Sequence, residues 1–396
     1  MQEYTRVLQK PLDSISWDDD NFVEELLQVA QLFRPFSAAM DEFISEHGYA
    51  GDPADTDAKV QFIRSAFERE QMVPPREIRE WFTQNQPVRR ETVFQICFAF
   101  HLDSAETDEF FRRYYARERS FNCHQVLEAI YYFCLLNGLS YARAQEIYEQ
   151  VPKAGKGGAG SEVVYTASII AELNGLASEE ELVEYLSRNI DKFAVDNVTA
   201  YETIRRLWER TAGPDGLLIQ ERQSLSSILD DRATGRQYVL RAGENGVRLW
   251  EAYLAIFQLD RKEVQQLDTD RSIRPILDRL HAQAQDSFPD RQGIDRILRG
   301  EHVSYERVRK WLVLLAFYTF WARKAVAAGN YAAESGDADR CLTRMNQYLM
   351  DAGYPEMYVG NPYDWIFFYA AKSAEPLFMF RYFWNELLTV TLEEHR

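Results

Sequence analysis

The sequence predicts an all-α fold made of several packed helical units, and three observations carry that expectation. Apolar residues recur at three- and four-residue spacing in most segments: Val60, Ile63 and Phe67 share one face of "VQFIRSAF", and Val126, Ile130 and Phe133 share one face of "VLEAIYYFCLL". No stretch sustains the alternation of a half-buried strand. The best strand candidate, "RQYVLRAGENGVRLW", is one short hairpin at most. Aromatic residues make up 14% of the 396 positions, as expected of large side chains filling helix–helix cores.

Turn clusters divide the chain. "GYAGDPADTD" (48–57), "VPKAGKGGAGSE" (151–162), "TAGPDG" (211–216) and "AAGNYAAESGDAD" (327–339) break the helical pattern. The expected organisation is an acidic start (1–36), a helix-turn-helix-like domain (37–119) and a helical domain (120–212). A helical linker or sensor region (213–285), a second helix-turn-helix-like unit (286–328) and an aromatic-rich helical end (329–396) follow. The glycine loop at 155–160 does not match a phosphate-binding loop. Lys156 precedes the glycines, and no strand leads into them.

Charge excludes some functions and permits others. The net charge of −17 opposes non-specific contact with nucleic acid or anionic membrane. It is unevenly spread, with twelve acids against three bases in residues 1–56 but eleven of each in 57–119. The longest apolar run, Trp311–Ala322, is too short to span a bilayer, so a buried helix is expected and no membrane partner. The start "MQEYTRVLQKPLDSISWDDD" has no apolar run, so no leader peptide is expected. Cys97, Cys123, Cys134 and Cys341 match no zinc or redox spacing, and reduced, buried thiols in a cytoplasmic protein are expected. The six histidines form no ligand set, and no nucleophile, base and orienter can be assembled. No metal, cofactor or catalytic residue is therefore assigned, and the chain is read as a non-enzyme.

The stretch that carries functional information is "VPPREIREWFTQNQPVRRETVFQICFAFHLDSAETDEFF". A short helix from Pro74 or Pro75 to Gln84 would bury Ile78, Trp81 and Phe82 and turn Arg76, Glu77, Arg79, Glu80 and Thr83 outward. "TQNQPVRR" is a polar link. A second helix from Glu91 would bury Val93, Ile96, Cys97 and Phe100, and Ser104 would cap a third. With two helices upstream, the expected order is 37–47, 57–70, 74–84, 90–101 and 104–115.

This pattern resembles the lambda-repressor-like (Xre or Cro-type) helix-turn-helix domains of bacterial and phage regulators, over about residues 37–115. The resemblance implies DNA as a partner. It puts the base-reading slots at Pro75, Arg76 and Glu80, with Arg79 beside them, and the backbone contacts of the link at Asn85, Arg89 and Arg90. It implies a phage- or mobile-element-type transcriptional regulator whose other helices dimerise or sense a signal. The alternative, from another class, is an acidic protein-interaction scaffold or accessory factor that has repurposed the same helices. A DNA binder would gather Arg76, Arg79, Arg89 and Arg90 on one exposed face; a scaffold would intersperse or bury them.

A similar outline recurs in "PDRQGIDRILRGEHVSYERVRKWLVLLAFYTFW" (289–321), where Ile294, Ile297 and Leu298 match Ile78, Trp81 and Phe82. Six bases against four acids in 289–310 make it the most basic segment. Duplication and chance recurrence both remain open from the sequence.

Overall fold

The computed structural model describes residues 12–84, 88–115, 121–123, 125–152, 166–193, 198–225, 240, 242–243, 246–257, 276–277, 280 and 289–394. It is all-α, as the periodicity predicts. Its only strands among these residues are the two-residue pair β1 (Ala242–Gly243) and β2 (Gly246–Val247), antiparallel with Ala242 opposite Val247. The chain forms two compact units, Arg34–Asp196 and the discontinuous pair Met1–Phe33 with Asn197–Arg396. The glycine loop, Asn85, His124, His281 and His395 lie outside the described residues.

The unit 34–196 begins with α2 (Phe36–Glu46), preceded in the chain by α1 (Phe22–Ala30) of the other unit. Then come α3 (Thr56–Arg69), α4 (Ile78–Thr83), α5 (Arg90–Ala99) and α6 (Ser104–Arg113). α7 (Val126–Leu136), α8 (Tyr141–Gln150), α9 (Thr166–Asn174), α10 (Glu179–Arg188) and α11 (Ile190–Phe193) complete it. Side chains from Ala39 to Phe193 belong to one apolar core, so the segments on either side of the expected 119/120 boundary are packed together. Phe94 of α5, for example, meets Tyr131 of α7 at 5.3 Å between ring centres.

Two helices here stop in the same way. After α3, Gln71 adopts φ 55°, and Met72 N–H donates to Phe67 O at 2.9 Å. After α5, His101 adopts φ 55°, and Leu102 N–H donates to Cys97 O at 3.0 Å. Each is the left-handed cap that satisfies orphan carbonyls of the last turn. The start of α6 differs from expectation by one residue. Asp103, not Ser104, is the N-cap, and with Glu106 it forms a reciprocal capping box.

The other unit joins both ends of the chain. α1 packs on α18 (Pro362–Ala371), where the Trp365 indole N–H donates to Leu26 O at 2.8 Å and Phe22 sits edge-on to Phe368. Its remaining helices are α12 (Val198–Ala212), α13 (Leu217–Ser224), α14 (Leu249–Phe257), α15 (Arg291–Arg299), α16 (Tyr305–Ala328), α17 (Asp337–Asp351) and α19 (Pro376–Glu394). α16 is the axis, packed by α12, α13 and α17. It is longer than the twelve-residue apolar run: Arg309 and Lys310 lie within it and are buried. Among the described residues it is the one helix long and apolar enough to cross a membrane, but 61% of that stretch is buried inside the protein, as in a core helix.

A charged pair sits at the centre of this apolar unit. Arg381 of α19 is fully buried, and its guanidinium meets both oxygens of Glu221 on α13 at 2.7 and 3.1 Å. Tyr318 and Tyr331 donate their hydroxyls to the same carboxylate at 2.6 Å each, and Arg381 Nε donates to Ile256 O at 3.1 Å. Burial opposes ionisation of Glu221, but the Arg381 charge and these donors outweigh it and hold the carboxyl below its ordinary value of 4.5. Removing one partner strands the other charge. Glu221→Gln is therefore expected to cost about 3–5 kcal/mol, measured by urea denaturation at neutral pH. The folded carboxyl lies below its unfolded value, so its contribution is present above about pH 4.5 and is lost as pH falls through the lower folded value. A stability–pH curve of Glu221→Gln should lack that acid-side loss.

Candidate nucleic-acid interface

The five helices expected between residues 37 and 115 are present as α2 to α6, with most ends within one or two residues of expectation. The proposed reading helix is the exception. α4 begins at Ile78, three residues after Pro75, and has six residues. Pro75 disfavours helical backbone at Pro74, and Arg76 and Glu77 form a turn ahead of the helix. Arg76 and Pro75 thus stand before the helix, not on its first turn.

The inward face of α4 is as predicted. Ile78 and Trp81 are buried and Phe82 half-buried, with Trp81 edge-on to Phe36 at 5.9 Å and Lys59 Nζ 4.7 Å from the centre of the Phe82 ring. Trp81→Ala should cost about 3–5 kcal/mol, the usual range for a buried aromatic; an unchanged denaturation midpoint would contradict this placement. The outward face is only partly as predicted. Arg76, Glu77, Arg79 and Thr83 are exposed, but Glu80 is half-buried, with Oε2 covered.

The four arginines have different surroundings. Arg76 and Arg89 are exposed, and neither side chain makes an ion pair or hydrogen bond among the described residues. Arg79 is ion-paired with Asp57 of α3. Arg90 lies across the interior side of the link. Its Nε and Nη2 donate to the two oxygens of Glu128 on α7 at 2.8 and 2.9 Å, and Glu128 also accepts from Asn122 N–H at 2.6 Å. The guanidinium carbon sits 5.4 Å from the Phe94 ring centre and 5.0 Å from that of Phe111. A guanidinium held in this fork presents no free pair of donors to a phosphate.

Glu128 is the residue that sequence reasoning missed. It is the lone carboxylate in "VLEAIYYFCLL" and is buried at 6% exposure. A carboxylate on a helix that is otherwise apolar signals a buried cationic partner, although the sequence does not say which.

Another ion-paired cluster ties α2 to α6. Arg113 meets Glu42 and Glu46, Arg34 meets Glu42, and the Tyr114 hydroxyl donates to Glu46. Burial opposes ionisation of Glu42, and the two arginines outweigh it and lower its carboxyl.

The second helix–turn–helix outline exists as α15, a left-handed Gly300 and α16, with Ile294 and Ile297 buried like Ile78 and Trp81. Its charges do not form a basic surface. Arg309 is buried in a two-pronged pair with Asp364 of α18, at 2.8 Å on each side, and Lys310 is buried with its ammonium 5.5 Å from the Tyr363 ring centre. Arg296, Arg299 and Arg307 each pair with a neighbouring acid.

None of the four cysteines forms a disulfide, and all are buried; burial pushes the Cys97 and Cys134 thiols up to about 12. Among the described residues no group of three or more His, Cys, Asp or Glu side chains could hold a metal ion. No known protein family, curated protein or solved structure matches this chain.

Proposed function

We propose that this chain is a non-enzymatic protein-interaction scaffold in which a helix-turn-helix outline carries a surface to a protein partner rather than to DNA. The observation that supports this reading is the Arg90 fork, filled by Glu128 and lying against two aromatic rings. With Arg79 paired to Asp57 at the surface, two of the four arginines that the resemblance assigns to DNA have an acidic partner in the chain. Glu77 shares the exposed face, and the net charge of −17 adds repulsion from phosphate at a distance. The four buried thiols fit a reducing compartment, and a cytoplasmic location belongs to the same proposal.

A second reading, DNA-binding transcriptional regulation, is favoured by Arg76 and Arg89, which are exposed and unengaged among the described residues. Under it, Arg89→Ala would lower the salt dependence of binding by about one unit on every sequence, and Arg76→Ala would cost about 1–3 kcal/mol on the preferred site. Gel-shift titration against a random-sequence duplex pool at low salt separates the two. We expect the folded protein to retain no DNA. Retention that weakens in Arg89→Ala would establish the regulator reading instead.

A further inference from the structure

α1 is held in its unit by packing and not by the chain that follows it. After Ala30 a turn carries the chain to Phe33, which is buried edge-on to Trp365 at 6.2 Å between ring centres. The next residue, Arg34, already pairs with Glu42 of α2 in the other unit. The whole of 34–196 therefore separates α1 from the helices of its own unit that bury it. The groove lined by α18 takes α1 as an amphipathic helix. Phe22, Leu26, Val29 and Phe33 are buried along one face, at spacings of four, three and four. Leu26 O accepts the Trp365 indole N–H, and Phe22 and Trp17 lie against Phe368 at 5.7 and 6.2 Å. Asp18, Asp19, Asp20 and Glu24 stay exposed. This is helix-in-groove recognition made within one chain.

We propose that α1 exchanges between two copies of this chain, each helix filling the α18 groove of the other, to give a domain-swapped dimer. The occupant of the groove is α1 in either form, so the contacts above are kept, and what changes is the link at Arg34–Pro35. Those two residues lie between the last residue docked in the groove and the first turn of α2. Rotation there frees α1 while each unit keeps its remaining helices packed. Because the swapped contacts equal the closed ones, the main opposing term is the freedom that two chains lose on associating. The dimer is two-fold, and its fraction rises with concentration. Resting on apolar burial, it is insensitive to salt. The exchange is independent of the scaffold reading, which concerns the other unit.

Two preparations of the full chain carrying different fluorophores, mixed at high concentration and then sedimented, test this. A species of twice the monomer mass carrying both labels should accumulate with time, and should persist in ~1 M salt, where the screening length is about 3 Å. A labelled peptide of residues 12–33 reports on the groove itself. It should bind the Leu26→Asp chain about tenfold or more tightly than the wild type, whose own α1 competes for the site. The same peptide carrying Leu26→Asp should bind neither. Should the Leu26→Asp chain lose its helical circular dichroism, Leu26→Ala takes its place. A mixture that never forms the doubly labelled dimer, or a folded Leu26 variant that does not bind the peptide, overturns the proposal. Either result leaves the DNA-retention test of the scaffold reading standing by itself.

Discussion

A guanidinium taken out of water must meet a carboxylate, and among the described residues three arginines meet that constraint with the same two-pronged geometry. Arg90 pairs with Glu128, Arg309 with Asp364 and Arg381 with Glu221. Each pair joins helices distant in sequence: α5 to α7, α16 to α18, and α19 to α13. Apolar packing alone would tolerate sliding between helices, whereas a two-pronged pair fixes one register. Such pairs add little net stability over an apolar core. Their effect is to make the alternatives costly, since any shift leaves a buried charge alone.

The same constraint decides which arginines face outward. The link before α5 holds two adjacent arginines. Arg89 is the N-cap residue and is exposed; Arg90, one position on, falls under Phe111 and opposite Glu128. A run that reads as a basic surface in one dimension is thus half interior in three. The segment 289–310 behaves alike, because Arg309 and Lys310 enter the body of α16 while Arg296, Arg299 and Arg307 stay outside with acidic neighbours.

Much of the fold was legible because helical periodicity is local. The buried stripe of Ile78 and Trp81 and the order of α2 to α6 follow from spacing alone. The start of α4 was not, because the Pro74–Pro75 pair can open a helix or delay one, and here Arg76 and Glu77 turn first. The candidate site was less legible still, since the fate of an arginine depends on its partner. Arg90 and Glu128 are 38 residues apart, and periodicity says nothing at that range. What the sequence does contain is the anomaly itself: Glu128 in "VLEAIYYFCLL", Asp364 in "YDWIFFYA" and Arg381 in "LFMFRYFW" are single charges in apolar helices, and all three are paired in the core.

The central claim is that Arg90 is half-buried and held by the buried carboxylate of Glu128. A double-mutant cycle on Arg90→Ala and Glu128→Ala, read by urea denaturation, tests it most directly. Hydrogen bonds to charged groups lead us to expect a coupling energy of about 1.5–3 kcal/mol, with the double variant no less stable than the worse single one by more than a fraction of that amount. Additive effects, with no coupling between the two positions, would contradict the account and return Arg90 to the surface.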